Sequence, residues 1–369
     1  MSDAIVIGGG PAGAAVATRL AAMGREVVLL ERTTGPVGKV CGEFLSHEAV
    51  NYINSLGVDL RRLGAVEIDG VRLCMGSSVA EVRLPFPAAG LSRRLLDEAL
   101  LARAAAKGVA IRRGMKVNGL TRERTVWSAR TSEGFEFFGK DAFLATGKHD
   151  LRTHKRPAGK QDDLVAFKLH WRLTPKQTAE LAGHVELALF RGGYAGLQPV
   201  EYGRANLCLV IRRRRLVELE QRWENVLDAL CHESSHLAMR LDGGEPCSPR
   251  PLAVSSIPYG YVCERTDGLW RLGDQAVVLP SFAGDGMAIA LHSAELAASI
   301  HRCGGTANEF QQRLATDVRR QVDLAVFLSR ALVWWPGQLA LAGLARMWPR
   351  LMAITARRTR IDTSALVHA

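Results

Sequence analysis

The first 31 residues constrain the fold more than any other stretch of the chain. Residues 4–7 are apolar and predict a short buried strand, and residues 14–23 have the small, apolar composition of a helix packed against a sheet. Between them, Gly8, Gly10 and Gly13 form a G-x-G-x-x-G pattern. Gly8 permits a tight turn, Gly10 lets the backbone approach a pyrophosphate, and Gly13 lets the helix and the strand touch. The first helical turn then offers free N–H groups and a partial positive charge to phosphates.

An acidic residue follows at the position that such a fold needs. Residues 25–30 predict a second strand, which ends at Glu31. That carboxylate lies about 20 residues after the glycines, where it can accept hydrogen bonds from the ribose of an adenosine. A glycine-rich packing turn would not predict Glu31, so the stretch indicates dinucleotide binding.

Length and composition limit the number of domains, the size of the core and the cellular compartment. A chain of 369 residues permits two domains and an appendage, and 47% apolar residues suffice for a sizeable core. Seven cysteines without a C-x-x-C pair argue against a disulfide framework and for a reducing compartment. The N-terminus lacks the basic region of a signal peptide, and the late apolar run of residues 331–345 is too short to span a bilayer. We therefore expect a cytoplasmic protein, with peripheral contact to a membrane left open.

The net charge of +11 suits an acidic partner. Nucleic acid is not expected, because the chain has no binding module and no basic run interleaved with aromatic residues. Residues 212–215 are four consecutive arginines, which we interpret as a solvated face. A dock for an acidic carrier protein or for the phosphates of a CoA-like group is the alternative.

The alternation of apolar and polar residues and a serine placed to cap a helix predict the elements that follow. Residues 65–86 alternate between apolar and polar and predict antiparallel strands, which end at Pro85 and Pro87. Ser92 is placed to cap a helix that runs to residue 107. Residues 141–146 predict a further strand that leads into an Ala-Thr-Gly sequence.

The order of these elements is typical of flavin enzymes rather than nicotinamide enzymes. The chain resembles the FAD-dependent oxidoreductases of the aromatic-hydroxylase fold, a superfamily that includes flavin monooxygenases, geranylgeranyl reductases and flavin halogenases. The resemblance covers residues 1 to about 300. Its anchors are the stretch from Gly8 to Glu31, Arg93-x-x-Leu96-Asp97-x-x-Leu100 with Ala145-Thr146-Gly147, and Leu272-Gly273-Asp274-Gln275-Ala276 followed by Pro280 and Gly284-Asp285-Gly286-Met287.

The resemblance implies an α/β fold with a Rossmann-like FAD-binding domain, an antiparallel β-sheet substrate domain and C-terminal helices. The FAD-binding domain would take residues 1–64, 91–150 and 265–320, the substrate domain residues 65–90 and 151–264, and the helical segment residues 321–369. FAD would be held non-covalently. NAD(P)H would visit the flavin only transiently, because the chain has one glycine fingerprint.

The resemblance also assigns residues to the cofactor. Arg93 would reach FAD from a helix start, and Asp274 would accept a hydroxyl of the ribityl chain. Asp285 would cap the helix that begins at Gly286, whose positive end favours the anion of a reduced flavin. The full set assigned to FAD is Gly8, Gly10, Pro11, Ala12, Gly13, Glu31, Arg32, Cys41, Gly42, Arg93, Val117, Ala145, Gly147, Asp274, Pro280, Gly284, Asp285, Gly286 and Met287.

Three side chains are candidates for proton transfer beside the flavin. Cys41 and Glu43 lie in a Cys-Gly-Glu loop that resembles loops of the reductases and halogenases, and Tyr194 lies in the substrate domain. Glu43 would serve if burial raised its pKa. Cys41 is equally well explained as a small buried filler.

A short motif in the substrate domain separates the known chemistries. Where the reductases carry Y-x-W-x-F-P and the halogenases W-x-W-x-I-P, residues 194–199 keep only Tyr194 and Pro199. The missing tryptophans argue against halogenation, and the missing Trp and Phe argue against a geranylgeranyl chain. The sequence therefore favours a monooxygenase-like enzyme acting on an apolar, aromatic or polyketide-like substrate. A C=C reductase of the geranylgeranyl reductase type and a non-catalytic flavin-binding protein are the alternatives.

Two further stretches have competing interpretations. His232 to His236 match H-E-x-x-H, but we expect no metal and interpret the histidines as part of the polar face of a long helix over residues 212–241. The tail from residue 306 is helical and rich in tryptophan and arginine. It is predicted to pack on the flavin domain; capping the substrate tunnel and lying on an anionic membrane are the alternatives.

Overall fold

The computed structural model describes residues 1–366, so the last three residues of the predicted C-terminal segment lie outside it. The strands are β1 (Ser2–Ile7), β2 (Val27–Glu31), β3 (Phe44–Leu45), β4 (Val66–Met75), β5 (Ser78–Gly90), β6 (Ala110–Arg113), β7 (Val117–Glu123), β8 (Val126–Thr131), β9 (Glu136–Leu144), β10 (Leu164–Arg172), β11 (Gly183–Phe190), β12 (Gly193–Val200), β13 (Arg204–Arg212), β14 (Glu245–Pro246), β15 (Leu252–Ser255) and β16 (Trp270–Arg271). The α-helices are α1 (Pro11–Ala22), α2 (His47–Ser55), α3 (Arg93–Ala106), α4 (Pro175–Leu181), α5 (Arg213–Glu218), α6 (Trp223–Glu233), α7 (Ser235–Leu241), α8 (Gly286–Arg302), α9 (Ala307–Leu332), α10 (Trp335–Met347) and α11 (Arg350–Arg358).

The first sheet confirms the predicted Rossmann-like arrangement. Its order is β6-β2-β1-β9-β8-β7, and β16 pairs with β9. Strands β6, β2, β1, β9 and β16 are parallel, whereas β7, β8 and β9 form an antiparallel excursion. Helix α1 packs against α3 and α8 on one face of this sheet, where Ala4 and Val6 of β1 join their apolar cluster. Ile5 and Ile7 lie in a second cluster on the other face with Leu120 and Trp127, so β1 is buried on both faces.

The glycine turn after β1 permits a close approach between helix and sheet. Gly8 has a φ of +106°, and a Cβ on it would lie 2.4 Å from the carbonyl oxygen of Ala145. A Cβ on Gly13 would lie 1.9 Å from the carbonyl oxygen of Gly8. A side chain at Gly13 would therefore push α1 away from the turn, and a side chain at Gly8 would collide with the backbone that follows β9.

The second sheet is mostly antiparallel, and we call it the substrate sheet after the domain that the sequence analysis predicts for these strands. Its order is β14-β10-β13-β12-β11-β4-β5-β3, with β15 on β10. Only the pairing of β11 with β4 is parallel within it. Strands β10 to β13 agree with the alternation of the sequence, because one face packs on its own apolar cluster and the other faces the first domain.

Strand β5 corrects the prediction that Pro85 and Pro87 end the strands. β5 continues through both prolines to Gly90. The register between β4 and β5 shifts between Ile68 and Gly70, and the prolines lie inside this irregularity. Proline lacks an N–H, so it is tolerated at a bulge, where no regular ladder bond is lost.

The single helix predicted over residues 212–241 is also wrong. The chain breaks at Glu220 and Gln221, which both have positive φ, and again at Ser234. His232 and His236 therefore lie on different helices rather than on one polar face. His236 Nε2 lies 3.0 Å from the buried Glu186 carboxylate. Within residues 1–366, no group of three His, Cys, Asp or Glu side chains is arranged to hold a metal ion.

The C-terminal helices divide between the two domains. α9 packs on α8 and β16, as predicted, but α10 and α11 pack on β4 and β5 of the substrate sheet instead. The reason is the break at Val333 and Trp334, which turns α10 across the cavity between the sheets. No single helix in the described chain is long and apolar enough to cross a membrane; α9 and α10 pass that test only as a pair bent by 107°.

Candidate active site

A cavity of about 840 Å³ lies between the two sheets and beneath the C-terminal helices. It begins at the carboxyl ends of β1, β2 and β9, where ligands of open α/β sheets bind. The residues that the sequence assigned to FAD line it, with the exceptions of Gly13, Pro280 and Asp285. Gly13 lies against the Gly8 carbonyl instead, in its expected packing role. Cys41, Glu43 and Tyr194 also line the cavity.

Glu31 has more partners than the sequence suggested. Its carboxylate accepts hydrogen bonds from Gly9 N at 2.7 Å, Thr33 N at 2.9 Å and Thr33 Oγ1 at 2.8 Å. Burial would raise the pKa of Glu31, but the backbone bonds from Thr33 and Gly9 outweigh it and lower the pKa. The carboxylate is thus ionised and braces the glycine turn in addition to facing the adenosine end of the cavity.

We expect Glu31→Ala to weaken FAD binding by about 10- to 100-fold, because charged hydrogen bonds of about 1.5–3 kcal/mol are lost. Glu31→Gln is the matched control, since its amide oxygen can still accept one of these bonds. The measurement is FAD affinity by fluorescence titration of the apoprotein. Native affinity in Glu31→Ala would contradict the assignment.

Arg93 and Lys148 are two of the cations that line the cavity. Arg93 donates to Asp97 at 2.7 and 2.9 Å, and a Cβ on Gly10 would lie 3.3 Å from Arg93 Nη2. Lys148 lies 3.0 Å from the carboxylate of Asp274. Burial would raise the pKa of Asp274, but the charge of Lys148 lowers it, so the pair is ionised.

Asp97 and Lys148 are site residues that were not predicted. Asp97 lies one turn after Arg93 and fixes its guanidinium. Lys148 directly follows the Ala-Thr-Gly motif, and that position was the only signal in the sequence.

These residues fit FAD. The first-turn N–H groups of α1 have no intrahelical partners, and together with Gly10 they form a cradle that a side chain would fill. Arg93 and Lys148 would stand beside the pyrophosphate and ribityl portions, and Glu31 would face the adenosine ribose.

Glu43 is the centre of a buried ionic cluster. It is fully buried, has a φ of +62° and accepts a hydrogen bond from Arg93 N at 2.8 Å. Its other partners are Lys168 Nζ, which is also buried, and His170 Nε2 at 2.6 Å. These partners come from β10, so Glu43 ties its loop to the substrate sheet.

The cluster corrects the role expected for Glu43. Burial alone would raise its pKa, but the hydrogen bond from His170 and the charge of Lys168 outweigh burial and lower the pKa. Glu43 is therefore an ionised carboxylate and has no proton to give at neutral pH.

The loop that carries Cys41 and Glu43 has a further attachment to the substrate sheet. Asn206 Nδ2 donates to the carbonyl oxygens of Cys41 at 3.0 Å and Gly42 at 2.7 Å.

Tyr194 belongs to a chain of hydroxyl groups. Its Oη lies 3.2 Å from Ser281 Oγ, which lies 3.0 Å from Tyr259 Oη. The N–H of Phe282 donates to Tyr194 Oη at 3.2 Å. Burial raises the pKa of Tyr194 and of Tyr259, so both phenols are neutral. Neither Ser281 nor Tyr259 lies in a motif that would have predicted this role.

Asp285 does not cap α8 with its side chain, contrary to expectation. Its fully buried carboxylate accepts from Ser46 Oγ at 2.9 Å, Gln321 Nε2 at 2.6 Å and Arg360 Nη1 at 2.8 Å. Arg360 also donates to the carbonyl oxygen of Ala283 at 2.7 Å and lies over the ring of Phe86. Asp285 thus fastens the C-terminal tail to the turn before α8.

Comparison with known proteins agrees with this geometry. A family model described as FAD binding domain matches residues 1–135. The chain is 26% identical over 321 residues to a menaquinone reductase of Mycobacterium tuberculosis, covering 81% of this chain and 76% of the relative. It is 26% identical over 320 residues to digeranylgeranylglycerophospholipid reductase 2 of Methanopyrus kandleri, with the same coverage. The structure of the myxobacterial chondrochloren halogenase CndH has the same fold, with a TM-score of 0.77, 20% identity and coverage of 99% of this chain and 94% of that one.

The fold and the dinucleotide cradle define a flavoprotein with non-covalently bound FAD. The chain is an FAD-dependent oxidoreductase and shares the fold of the FAD-dependent enzymes that it matches.

Proposed function

We propose that this oxidoreductase reduces a C=C bond in the apolar chain of a lipid-like substrate. The observation that carries the proposal is the aliphatic lining of the cavity beyond the FAD cradle. This lining comes from β4, β5, β11 and the C-terminal helices and includes Val71, Leu73, Leu84, Val185, Leu187, Leu332 and Leu341. Such a wall stabilises a hydrocarbon by about 25 cal/mol per Å² of apolar surface removed from water. The names of the two reductase relatives support the same substrate class.

Saturation of a C=C bond adds a hydride to one carbon and a proton to the other. Bound FAD supplies the hydride once it has been reduced. The chain must supply the proton, and we assign this role to Tyr194, because it lines the cavity and its hydroxyl lies within hydrogen-bond distance of Ser281. When Tyr194 gives up its proton, the N–H of Phe282 stays in place to stabilise the phenolate oxygen. Ser281 and Tyr259 can then return a proton along the hydroxyl chain.

The other two candidates take different roles. Cys41 remains a second donor, because it lines the same cavity. Glu43 is a positioning residue: its bonds to Lys168 and His170 hold the Cys41 loop against the substrate sheet. NAD(P)H is proposed as the reductant, and steady-state oxidation of NADPH and NADH by the FAD-loaded protein would test this and show which is used.

The test of the proposed reaction is an anaerobic single turnover. The FAD-loaded enzyme is photoreduced and mixed with a polyprenyl lipid that carries no quinone ring, because a quinone would itself accept the hydride and a proton and gain the same two hydrogens. We expect the flavin absorbance to return without oxygen and a product heavier by two hydrogens to appear in mass spectra. If the flavin stays reduced with every such lipid, the proposed function is wrong.

A second candidate, oxygenation of an aromatic substrate, is favoured by Gly196. This residue stands where the reductases carry tryptophan, it lines the cavity, and a Cβ on it would meet nothing nearer than the Cys208 carbonyl oxygen at 3.7 Å. The space could take a ring above the substrate sheet. The same anaerobic mixture separates the two candidates, because oxygenation would give a product one oxygen heavier only after air is admitted.

A further inference from the structure

We propose that the enzyme docks on an anionic lipid bilayer through the outer surface of α10 and α11 and the turn before them. We call this surface the tail face. Its apolar part is formed by Trp334, Trp335, Leu339, Met347, Trp348 and Ile354, all of which are exposed.

The apolar part is unusually concentrated. Nine of the 18 exposed large apolar side chains in residues 1–366 lie between Phe327 and Ile354. On α10, the exposed positions Trp335, Leu339 and Met347 recur at helical spacing, and Arg346 is the only charged residue of that helix. Soluble proteins rarely expose so continuous an apolar stripe unless it contacts a membrane or a partner.

The charge of the same segment selects an anionic surface. Between Leu324 and Ile361 the chain has six arginines and no aspartate, glutamate or lysine. Two of these arginines are used inside the molecule, since Arg330 donates to the Lys160 carbonyl oxygen and Arg360 pairs with Asp285.

The other four arginines are available for an external partner. Arg346, Arg350, Arg357 and Arg358 are exposed and form no ion pair with any residue of the described chain. Arginine beside tryptophan and aliphatic side chains on a short amphipathic helix is the composition that binds in the headgroup region of an anionic bilayer.

The position of the cavity favours lipid over an acidic protein. Leu344 and Leu351 are exposed and also line the cavity, so the cavity reaches the surface within the tail face. Met352 and Thr355 line it from the inner side of α11. An apolar chain could pass from the bilayer into the cavity here without crossing water, which would otherwise cost about 0.8 kcal/mol per CH₂. This last step rests on the proposed function, whereas docking itself does not.

The test is co-sedimentation of the FAD-loaded full chain with vesicles. We expect binding to phosphatidylcholine vesicles that contain phosphatidylglycerol, weaker binding to pure phosphatidylcholine, and a decrease with salt. Arg357→Ser with Arg358→Ser should weaken binding about 30-fold. Trp335→Ser with Met347→Ser should also abolish most of it.

Matched controls come from exposed residues of the same types elsewhere. Arg213→Ser with Arg214→Ser, and Phe135→Ser with Phe138→Ser, should leave vesicle binding unchanged. Sedimentation requires no turnover, so a failure of the proposed reduction would not alter it. Docking is refuted if the wild-type protein stays in the supernatant with anionic vesicles, or if control and tail-face variants lose binding equally. The tail face would then be assigned to an acidic protein.

Discussion

Tyr194→Phe is expected to slow reduction of the substrate by about 10²- to 10⁴-fold, the range over which a positioned proton donor contributes. The substitution removes only the hydroxyl that lies 3.2 Å from Ser281 Oγ. FAD content and the rate of flavin reduction by NAD(P)H should stay near wild type, because neither needs this proton. The measurement is stopped-flow absorbance of both half-reactions under anaerobic conditions.

Controls separate proton donation from structural support. Tyr259→Phe removes a hydroxyl bonded to the same Ser281 and should have a smaller effect, because Tyr259 lies one step further along the chain. Tyr194→Phe also leaves the Phe282 N–H without its acceptor, so stability is measured in parallel. If Cys41→Ser stops reduction while Tyr194→Phe does not, the donor is Cys41 and our assignment is wrong.

Glu43→Gln is expected to lower the free energy of unfolding by about 3–5 kcal/mol, because it leaves the buried Lys168 ammonium without its carboxylate. The double variant Glu43→Gln with Lys168→Met should be more stable than Glu43→Gln alone, since the uncompensated charge is then gone. Chemical denaturation of the FAD-loaded protein gives all three free energies. A double variant that is no more stable than the single one would show that the two groups are not coupled.

The same cluster predicts a pH dependence. The pKa of Glu43 is lower in the folded protein than its ordinary value of 4.5. The stability that it contributes is therefore fully present above that value and is lost as the pH falls through the lower, folded pKa. The difference between wild type and Glu43→Gln should shrink in acid. A difference that stayed constant as far as the acid unfolding transition would contradict an ionised Glu43.

The sequence by itself determined the FAD-binding domain. Turn, helix and strand between Gly8 and Glu31 are set by residues within one short stretch, and the need for glycine is local, because a Cβ would meet backbone. Strands β10 to β13 were also predictable, since their residues alternate between the apolar cluster on the outer side of the sheet and the side that faces the first domain, which is a period of two. The sequence therefore predicted those elements whose stabilising contacts join residues close in the chain or recur at a regular spacing along it.

Only the tertiary structure decided how the site is held and what its charged groups do. Glu43 meets Lys168 across 125 residues of sequence, and Asp285 meets Arg360 across 75. Neither pair has a local pattern, so the sequence left Glu43 as a candidate proton donor, on condition that burial raised its pKa, and predicted Asp285 as a helix cap. Burial raises the pKa of a carboxyl group, whereas a nearby positive charge lowers it. Which effect is larger depends on distances that only the folded chain determines.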